Sequence, residues 1–317
     1  MCAAGAAGAP AGRRRTRPET SEDIDKQIEQ GQQQGQGTRR GEVRVTTARP
    51  RTAGDRSGRV KRRMRARLPA MVHLYVARHG QDEDNSNGIL NGRRDQPLTD
   101  LGRRQARDVG RKMKSAGFTL RCRDYGDGPA ADGESASGPG VSFSRVFSSP
   151  LRRASDTARI FCEILSGGDG EATCSIGATE AVEVETLDDL IERDFGTMTG
   201  QPTKSIVERC GVDGVLATET INYFLHPAGA ETFPDLIDRA KRLLMKIEDI
   251  TSDLSSSDAI LLVTHGDFGK MLYAAYYNLQ WKDVLRQFHF GNSEVLLLSR
   301  ESEAKDAHVF ETKQYNA

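Results

Sequence analysis

The chain of 317 residues lacks the features that mark several large classes of protein. Its five cysteines are odd in number and contain no C-x-x-C pair, which argues against a disulfide framework and a zinc site. Apolar runs such as Ala259–Val263 are far shorter than the roughly 20 residues that cross a bilayer. There is no H-E-x-x-H sequence, aspartate cluster or P-loop, so metal-assisted hydrolysis and nucleotide kinase chemistry have no support. We expect a soluble protein that needs no metal and no cofactor.

Charge is balanced over the whole chain, with 45 basic and 45 acidic residues, but it is distributed unevenly. Residues 1–70 contain 17 Lys and Arg against 7 Asp and Glu, whereas residues 71–317 contain 28 against 38. The first 70 residues are also rich in Ala, Gly and Gln, with too little apolar surface to offset chain entropy. We expect a disordered basic extension over 1–70 and one folded domain over 71–317.

Several roles for the extension stay open. The basic run Arg59–Arg67 could bind nucleic acid or an anionic membrane, but it has no aromatic platform, so a solvated spacer is preferred. Residues 1–18 carry four arginines and no acid, which weakly resembles a transit peptide. Met71 could also be a usable start. We expect a cytoplasmic protein, or an organellar one if the extension is a transit peptide.

From Val72 onward, short apolar runs alternate with amphipathic stretches, which predicts an α/β fold. The expected architecture is a three-layer sandwich with a mostly parallel central sheet flanked by helices. The candidate strands are Val72–Ala77, Ser144–Ser148, Val182–Leu187, Ala259–Thr264 and Ser293–Leu298. Apolar residues at helical spacing mark helices around Ala154–Leu165 and Phe233–Ile247.

Two segments interrupt this alternation. Asp124–Gly140 is dense in Gly, Asp, Ser and Pro and predicts a surface insertion. Gln201–Ala230, which is partly helical at best, is a candidate cap over a pocket. Within it, Lys204 and Arg209 could contact a second phosphate of a substrate, although solvated surface charges are the preferred interpretation.

Polar sequences follow four of the expected strands, where open α/β sheets bind their ligands. These sequences are Arg78-His79-Gly80, Ser148–Arg153, Glu192–Gly196 and His265-Gly266-Asp267. They predict two histidines, several arginines and a carboxylate on one rim. Such residues suit phosphoryl transfer, because imidazole can attack phosphorus, arginine binds phosphate oxygens and a carboxylic acid can protonate the departing oxygen.

Four segments carry a resemblance to a known family. They are Arg78-His79-Gly80 with the run Asp95–Ala106, Ser148–Ala154, Leu190–Gly196 and Thr264–Gly266. In this order they resemble the motifs of the histidine phosphatase (phosphoglycerate mutase-like) superfamily. The resemblance covers essentially all of residues 72–299 and implies an enzyme that works through phosphohistidine.

The resemblance implies a catalytic role for five residues. His79 matches the histidine that is phosphorylated. Glu192 matches the acid that protonates the leaving group and later activates water. Arg78, Arg153 and His265 match the residues that hold the phosphoryl group.

The same resemblance places three further residues near the substrate. Asn85 matches a polar residue of the pocket wall, and Gly266 follows the second histidine. Glu231 either orients catalytic groups or only caps the helix that follows it. Of two neighbouring arginines, Arg153 is expected to point inward and Arg152 to lie at the surface. The acids in Gln81–Asp84, where family members often have Glu-Thr-Glu-Trp, are expected to repel a second anionic group.

We expect a phosphatase that hydrolyses a phosphate monoester, either a small molecule or a phosphoprotein. A phosphoglycerate mutase-type transfer and a non-catalytic phospho-ligand binding or scaffold protein are the alternatives. The Arg-Arg-Ser-(Tyr/Phe)-Asp-x-Pro-Pro-Pro run of the cofactor-dependent glycolytic mutases is absent, which favours the phosphatase. Nucleic acid is not an expected partner, and the sequence leaves a homodimer open.

Overall fold

The structure is a computed structural model that describes residues 73–121, 140–168, 183–255 and 258–312. The expected extension over residues 1–70 and almost all of the expected insertion lie outside these ranges. Within the described residues, no helix is long and apolar enough to span a membrane.

The central sheet of the described residues has seven strands. They are β1 (His73–Arg78), β2 (Thr119–Leu120), β3 (Ser142–Ser148), β4 (Val184–Thr186), β7 (Ala259–Thr264), β8 (Val295–Leu298) and β9 (His308–Phe310). Their order is β2-β3-β7-β1-β8-β9, and β4 also pairs with β3. The pairs among β1, β2, β3, β4 and β7 are parallel, whereas β8 is antiparallel to both β1 and β9. The sheet is therefore mostly parallel.

Among the described residues, α-helices directly follow three of these strands, β1, β3 and β7. The α-helices are α1 (Glu83–Ser86), α2 (Asp100–Ser115), α3 (Arg152–Leu165), α4 (Ile206–Cys210), α5 (Phe233–Ile250), α6 (Gly266–Tyr277) and α7 (Trp281–Gln287). A capping box stabilises the start of α5. The Thr232 side chain accepts from the Asp235 N–H, and the Asp235 carboxylate accepts from the Thr232 N–H.

Both faces of the sheet are buried, which explains the continuous apolar runs of its strands. In β1, Leu74 and Val76 pack into one core cluster with α5 and α6, whereas Tyr75 and Ala77 pack into another with α2 and α3. Strand β7 alternates in the same way and is buried along its whole length. The expected three-layer α/β sandwich is confirmed.

Some expected boundaries are wrong. The second strand begins two residues earlier, at Ser142, and the third is shorter than expected. The last candidate strand begins at Val295 rather than Ser293, because Ser293 has a φ of 59° and turns the chain.

The expected cap segment has more structure than its sequence indicates. Besides α4 it contains a hairpin of β5 (Val215–Ala217) and β6 (Asn222–Phe224). A small apolar cluster of Phe195, Met198, Ile206 and Phe224 joins this segment to the residues that follow β4.

Candidate active site

Two histidines follow directly after the paired strands β1 and β7. Arg78 and Thr264, the last residues of these strands, are in register, and the His79 N–H donates to Thr264 O at 3.0 Å. The ring centroids of His79 and His265 are 5.1 Å apart. Adjacent parallel strands thus bring together histidines that are 186 positions apart in the numbering.

The imidazole of His79 has one nitrogen fixed by the backbone. Its Nδ1 lies 2.6 Å from the carbonyl oxygen of Gly80, a contact in which Nδ1–H must be the donor. Burial, followed by the positive charges of Arg153 and Arg78, holds the pKa of His79 well below its usual 6.5. The ring is therefore neutral near pH 7, and its lone pair is on Nε2.

The turn after His79 packs against the start of α2 with no room for side chains. A Cβ on Gly80 would lie 2.4 Å from the carbonyl oxygen of Gly102, and one on Gly102 would lie 2.0 Å from that of Gln81. Thr99 caps α2 through its hydroxyl, which accepts from the Gly102 N–H at 3.0 Å. This close backbone contact fixes the turn that carries the histidine.

Arg153 points inward and Arg152 is exposed, as expected. The Arg153 Nε donates to Nε2 of His79 at 3.3 Å. Its terminal nitrogens donate to the carbonyl oxygens of Arg94 and Gly92 at 2.6 and 2.8 Å. Each nitrogen of this guanidinium therefore already has an acceptor.

Asp82 is the carboxylate partner of Arg153. Its Oδ2 lies 3.2 Å from Arg153 Nε and accepts from the Asn91 side chain at 2.6 Å, while Oδ1 accepts from the Asn85 N–H at 2.7 Å. Asp82 is fully buried, and the buried Asp84 also forms an ion pair. The expectation that these acids repel a second anion is wrong for Asp82 and Asp84, because arginines balance both charges.

His265 is completely buried beside His79. Its Nε2 lies 2.7 Å from the hydroxyl oxygen of Ser149, which follows β3. Burial, then the positive charge of Arg153 and the neighbouring His79, lower the pKa of His265 well below its usual value. Both histidines of the site are therefore neutral near pH 7.

Glu192 lies against the N-terminus of α6. Its Oε1 accepts from the N–H groups of Arg193 and Phe268 at 2.8 and 3.0 Å, and its Oε2 accepts from that of Asp267 at 3.2 Å. Burial and then the negative charge of Asp267 raise the pKa of Glu192, and the backbone donors oppose this effect. Because its pKa is raised, Glu192 can stay protonated at a pH closer to neutral than an ordinary glutamic acid can.

A cavity of about 360 Å³ connects this site with the cap segment. The sequence-predicted residues that line it are Arg78, His79, Asn85, Glu192 and Gly266. Those that do not are Arg153, His265 and Glu231, although the first two lie next to His79. The cap contributes Thr203, Lys204 and the residues of β6 to the lining of this cavity.

The second basic residue considered in the cap, Arg209, lies elsewhere. Arg209 lines another depression of about 550 Å³ together with His226 and Cys210. This depression contains none of the predicted catalytic residues. Lys204 lines the first cavity but is exposed.

Of the two interpretations of Glu231, the helix cap is wrong, and the contacts of its carboxylate fit a residue that orients catalytic groups. The cap of α5 is Thr232, not Glu231. The Glu231 carboxylate accepts from Arg93 and Arg239 at 3.0 Å and from the Asp194 N–H at 2.9 Å. Arg239 in turn donates to the carbonyl oxygens of residues 189, 191 and 192. Glu231 therefore braces the loop that carries Glu192 from outside the cavity.

Sequence reasoning missed several polar residues of the cavity wall. Lys270 on α6 donates to the Tyr223 hydroxyl on β6 at 2.6 Å. Arg193 pairs through Nε with Asp267 Oδ2 at 3.1 Å and stacks over Phe224. Arg193 and Asp267 stand in the polar sequences predicted for the rim, but no role was predicted for them. Lys270 lies one helical turn after Gly266 and outside the four motifs, so the sequence did not mark it as a residue of the site.

The described residues contain no group of three or more His, Cys, Asp and Glu side chains arranged to hold a metal ion. The positive charges that act on His79 come from Arg153 and Arg78, and guanidinium groups suit anionic oxygens. That the chain needs no metal and no cofactor stays a prediction.

Comparison with protein families gives a direct match. The model of the histidine phosphatase superfamily (branch 1) matches residues 74–121 and 136–312. The chain belongs to this superfamily. The resemblance inferred from the four motifs is thereby confirmed.

Curated relatives within the superfamily include mutases. A 2,3-bisphosphoglycerate-dependent phosphoglycerate mutase of Rhizobium etli is 29% identical over 215 residues, which are 68% of this chain and 85% of the relative. The enzyme of the same name from Methylorubrum populi is 30% identical over 194 residues, which are 61% of this chain and 74% of the relative.

Solved structures with the same fold include phosphatases. A mycobacterial glucosyl-3-phosphoglycerate phosphatase complexed with VO3 has a TM-score of 0.51 and 20% identity, covering 72% of this chain and 92% of that chain. A structure described as mycobacterial hydrolase 1 has the same TM-score and identity, covering 71% and 90%. At this identity the likeness concerns the fold.

Proposed function

We propose that this chain is a phosphatase that hydrolyses a small phosphate monoester through a phosphohistidine on His79. The observation that carries the proposal is the state of that ring. Its Nδ1–H is held by the Gly80 carbonyl, so the lone pair of the neutral ring is on Nε2, in a cavity shared with Arg78 and Glu192. In the free site this lone pair accepts from Arg153 Nε at 3.3 Å, and attack on phosphorus replaces that hydrogen bond. A neutral imidazole needs no separate base before it attacks phosphorus.

In the first step, Nε2 of His79 attacks phosphorus and the bond from phosphorus to the ester oxygen breaks. Glu192, protonated before the reaction, gives its proton to the departing oxygen, which leaves as an alcohol. Arg78 balances negative charge on the phosphoryl oxygens from within the cavity, and Arg153 and His265 flank the nucleophile.

In the second step, a water oxygen attacks phosphorus and the bond to Nε2 breaks. Glu192, now a carboxylate, accepts the proton of this water and returns to its starting state. The products are the alcohol and inorganic phosphate. No other proton acceptor is needed.

Mutase activity is the second candidate, and the names of the curated relatives favour it. A mutase must retain its intermediate and exclude water before the phosphoryl group is transferred to a second hydroxyl. The absence of the proline-rich mutase run favours hydrolysis in this chain. A purely ligand-binding role is disfavoured, because His79, Arg78 and Glu192 are all retained around one cavity.

The test is an assay of the full chain with a panel of small phosphate monoesters in the presence of a chelator. Phosphorus NMR distinguishes inorganic phosphate from a positional isomer of each ester. We expect inorganic phosphate from the wild-type chain and none from His79→Asn. An isomer without phosphate release would replace the phosphatase with the mutase, and no conversion of any ester would favour a binding protein.

A further inference from the structure

One buried cation in the cavity wall is not used by the proposed mechanism. Lys270, on the inner face of α6, is 5% exposed and lines the cavity. The only hydrogen bond that its ammonium makes within the described residues is to the neutral hydroxyl of Tyr223, at 2.6 Å. A buried ammonium normally has a carboxylate partner, because desolvation of an unpaired charge is costly.

The two carboxylates whose charges act most strongly on Lys270 are engaged elsewhere. Asp267 pairs with Arg193 Nε at 3.1 Å, and Glu192 accepts from three backbone N–H groups. Burial lowers the pKa of Lys270 to about 8, and Asp267 opposes this shift without forming an ion pair. At neutral pH the ammonium therefore remains mostly charged and incompletely balanced.

Tyr223 adds a second donor at the same place. Its oxygen accepts from Lys270, so its own proton is directed elsewhere, and no acceptor for that proton lies among the described residues. Tyr223 also lines the cavity, and burial raises its pKa, which keeps the phenol protonated. Two buried donors thus border the cavity, one charged and one neutral.

We propose that Lys270 and Tyr223 form a subsite for a carboxylate at the far end of the substrate from the transferred phosphoryl group. This inference rests on the proposed function and adds a substrate class to it. One ammonium and one phenol match the single charge and two oxygens of a carboxylate. A second phosphate carries more charge and is commonly bound by guanidinium forks, which this part of the wall does not offer, since Arg193 is paired with Asp267.

The subsite also connects the cap to the catalytic domain. Lys270 belongs to the helix that follows His265, whereas Tyr223 belongs to the cap hairpin. A carboxylate bound to both would fix the position of the substrate relative to His79 and Glu192. Substrate length is then restricted by the distance between the two ends of one cavity of about 360 Å³.

The test compares phosphooxy carboxylates of two to four carbons with their neutral primary amides. For the wild-type chain we expect the best carboxylate to exceed its amide by about tenfold or more in kcat/KM, since a hydrogen bond to a charged group contributes that much. Lys270→Gln should remove most of this preference, and Tyr223→Phe should remove part of it. Lys282→Gln, at an exposed lysine of α7, is the matched control and should leave the ratio unchanged.

Binding of 3-phosphonopropionate and its amide, measured by calorimetry, provides a readout that needs no turnover. A Lys270-dependent preference for the carboxylate without hydrolysis would support the subsite and reject the proposed phosphatase. Equal losses for carboxylate and amide in Lys270→Gln, or no preference in the wild-type chain, would overturn the subsite. Thermal unfolding of each variant identifies a loss that comes from misfolding.

Discussion

Arg153 donates from Nε to Nε2 of His79 at 3.3 Å, and the same Nε lies 3.2 Å from Asp82 Oδ2. The nucleophilic nitrogen, a buried guanidinium and a buried carboxylate therefore form one chain of contacts. Asp82 balances the charge of Arg153 and holds it beside the ring. The site depends on a carboxylate that does not line the cavity.

Removal of that carboxylate should destabilise the fold. We expect Asp82→Asn to lower the free energy of unfolding by about 3–5 kcal/mol, because it leaves a fully buried guanidinium without its counter-charge. Urea denaturation followed by circular dichroism measures this loss. The neighbouring Glu83→Gln, at an exposed position, is the control and should change stability by less than about 0.5 kcal/mol. Equal effects of the two substitutions would show that Arg153 does not depend on Asp82.

The proton-transfer role of Glu192 predicts a shift in the pH profile of Asp267→Asn. The negative charge of Asp267 raises the pKa of Glu192, so its removal should lower that pKa. If activity requires protonated Glu192, activity falls as pH rises through this pKa. The falling limb of kcat/KM should therefore move to lower pH in the variant.

The amide in Asp267→Asn preserves side-chain size, and the backbone N–H that donates to Glu192 is retained. Arg193 loses its ion-pair partner, so KM is expected to change as well. A profile that keeps its falling limb at the wild-type pH, despite a changed KM, would argue that another group supplies the proton.

The two neutral histidines predict a stability that depends on pH. Their pKa values are lowered in the folded state, so below about pH 6.5 the unfolded chain binds protons that the folded chain does not. The free energy of unfolding should therefore decrease as pH falls below about 6.5, by up to about 1.4 kcal/mol per pH unit for each histidine. Above that pH the contribution should level off.

His265→Gln isolates the contribution of His265, because the effects of the carboxylates on the pH dependence of stability are the same in the wild type and the variant. The difference in unfolding free energy between wild type and variant should depend on pH below about 6.5 and be constant above pH 7.5. A difference that is constant throughout would mean that His265 has a normal pKa in the folded protein.

The positions of both site histidines were predictable because they depend on simple topology. His79 and His265 each follow an apolar run, and adjacent parallel strands end on the same edge of a sheet. The four motifs were enough to identify the family, and the match to the family model confirms that identification. The resemblance implied that Arg153 rather than Arg152 points inward, and Arg153 lies on the buried face of α3.

Other parts of the site depend on tertiary contacts with no local signal. The sequence marks Asp82 only as one of several acids after the first strand. Its contacts with Arg153 and Asn91 in the structure show that it is the buried partner of Arg153. Lys270 and Tyr223 are 47 positions apart and belong to different layers of the molecule. Glu231 could be placed near the site, but its hydrogen bonds with Arg239 of α5 become visible only in the structure.

The measurement that tests the central claim most directly is intact-mass analysis of the full chain after brief reaction with a hydrolysed ester. The quench must be neutral or alkaline, because phosphohistidine is labile in acid. We predict one added phosphoryl group that peptide mapping assigns to His79. It should be absent from His79→Asn and retained in His226→Asn, which changes an exposed histidine outside the cavity. Phosphate release without any adduct on His79, or release by His79→Asn at the wild-type rate, would contradict the account.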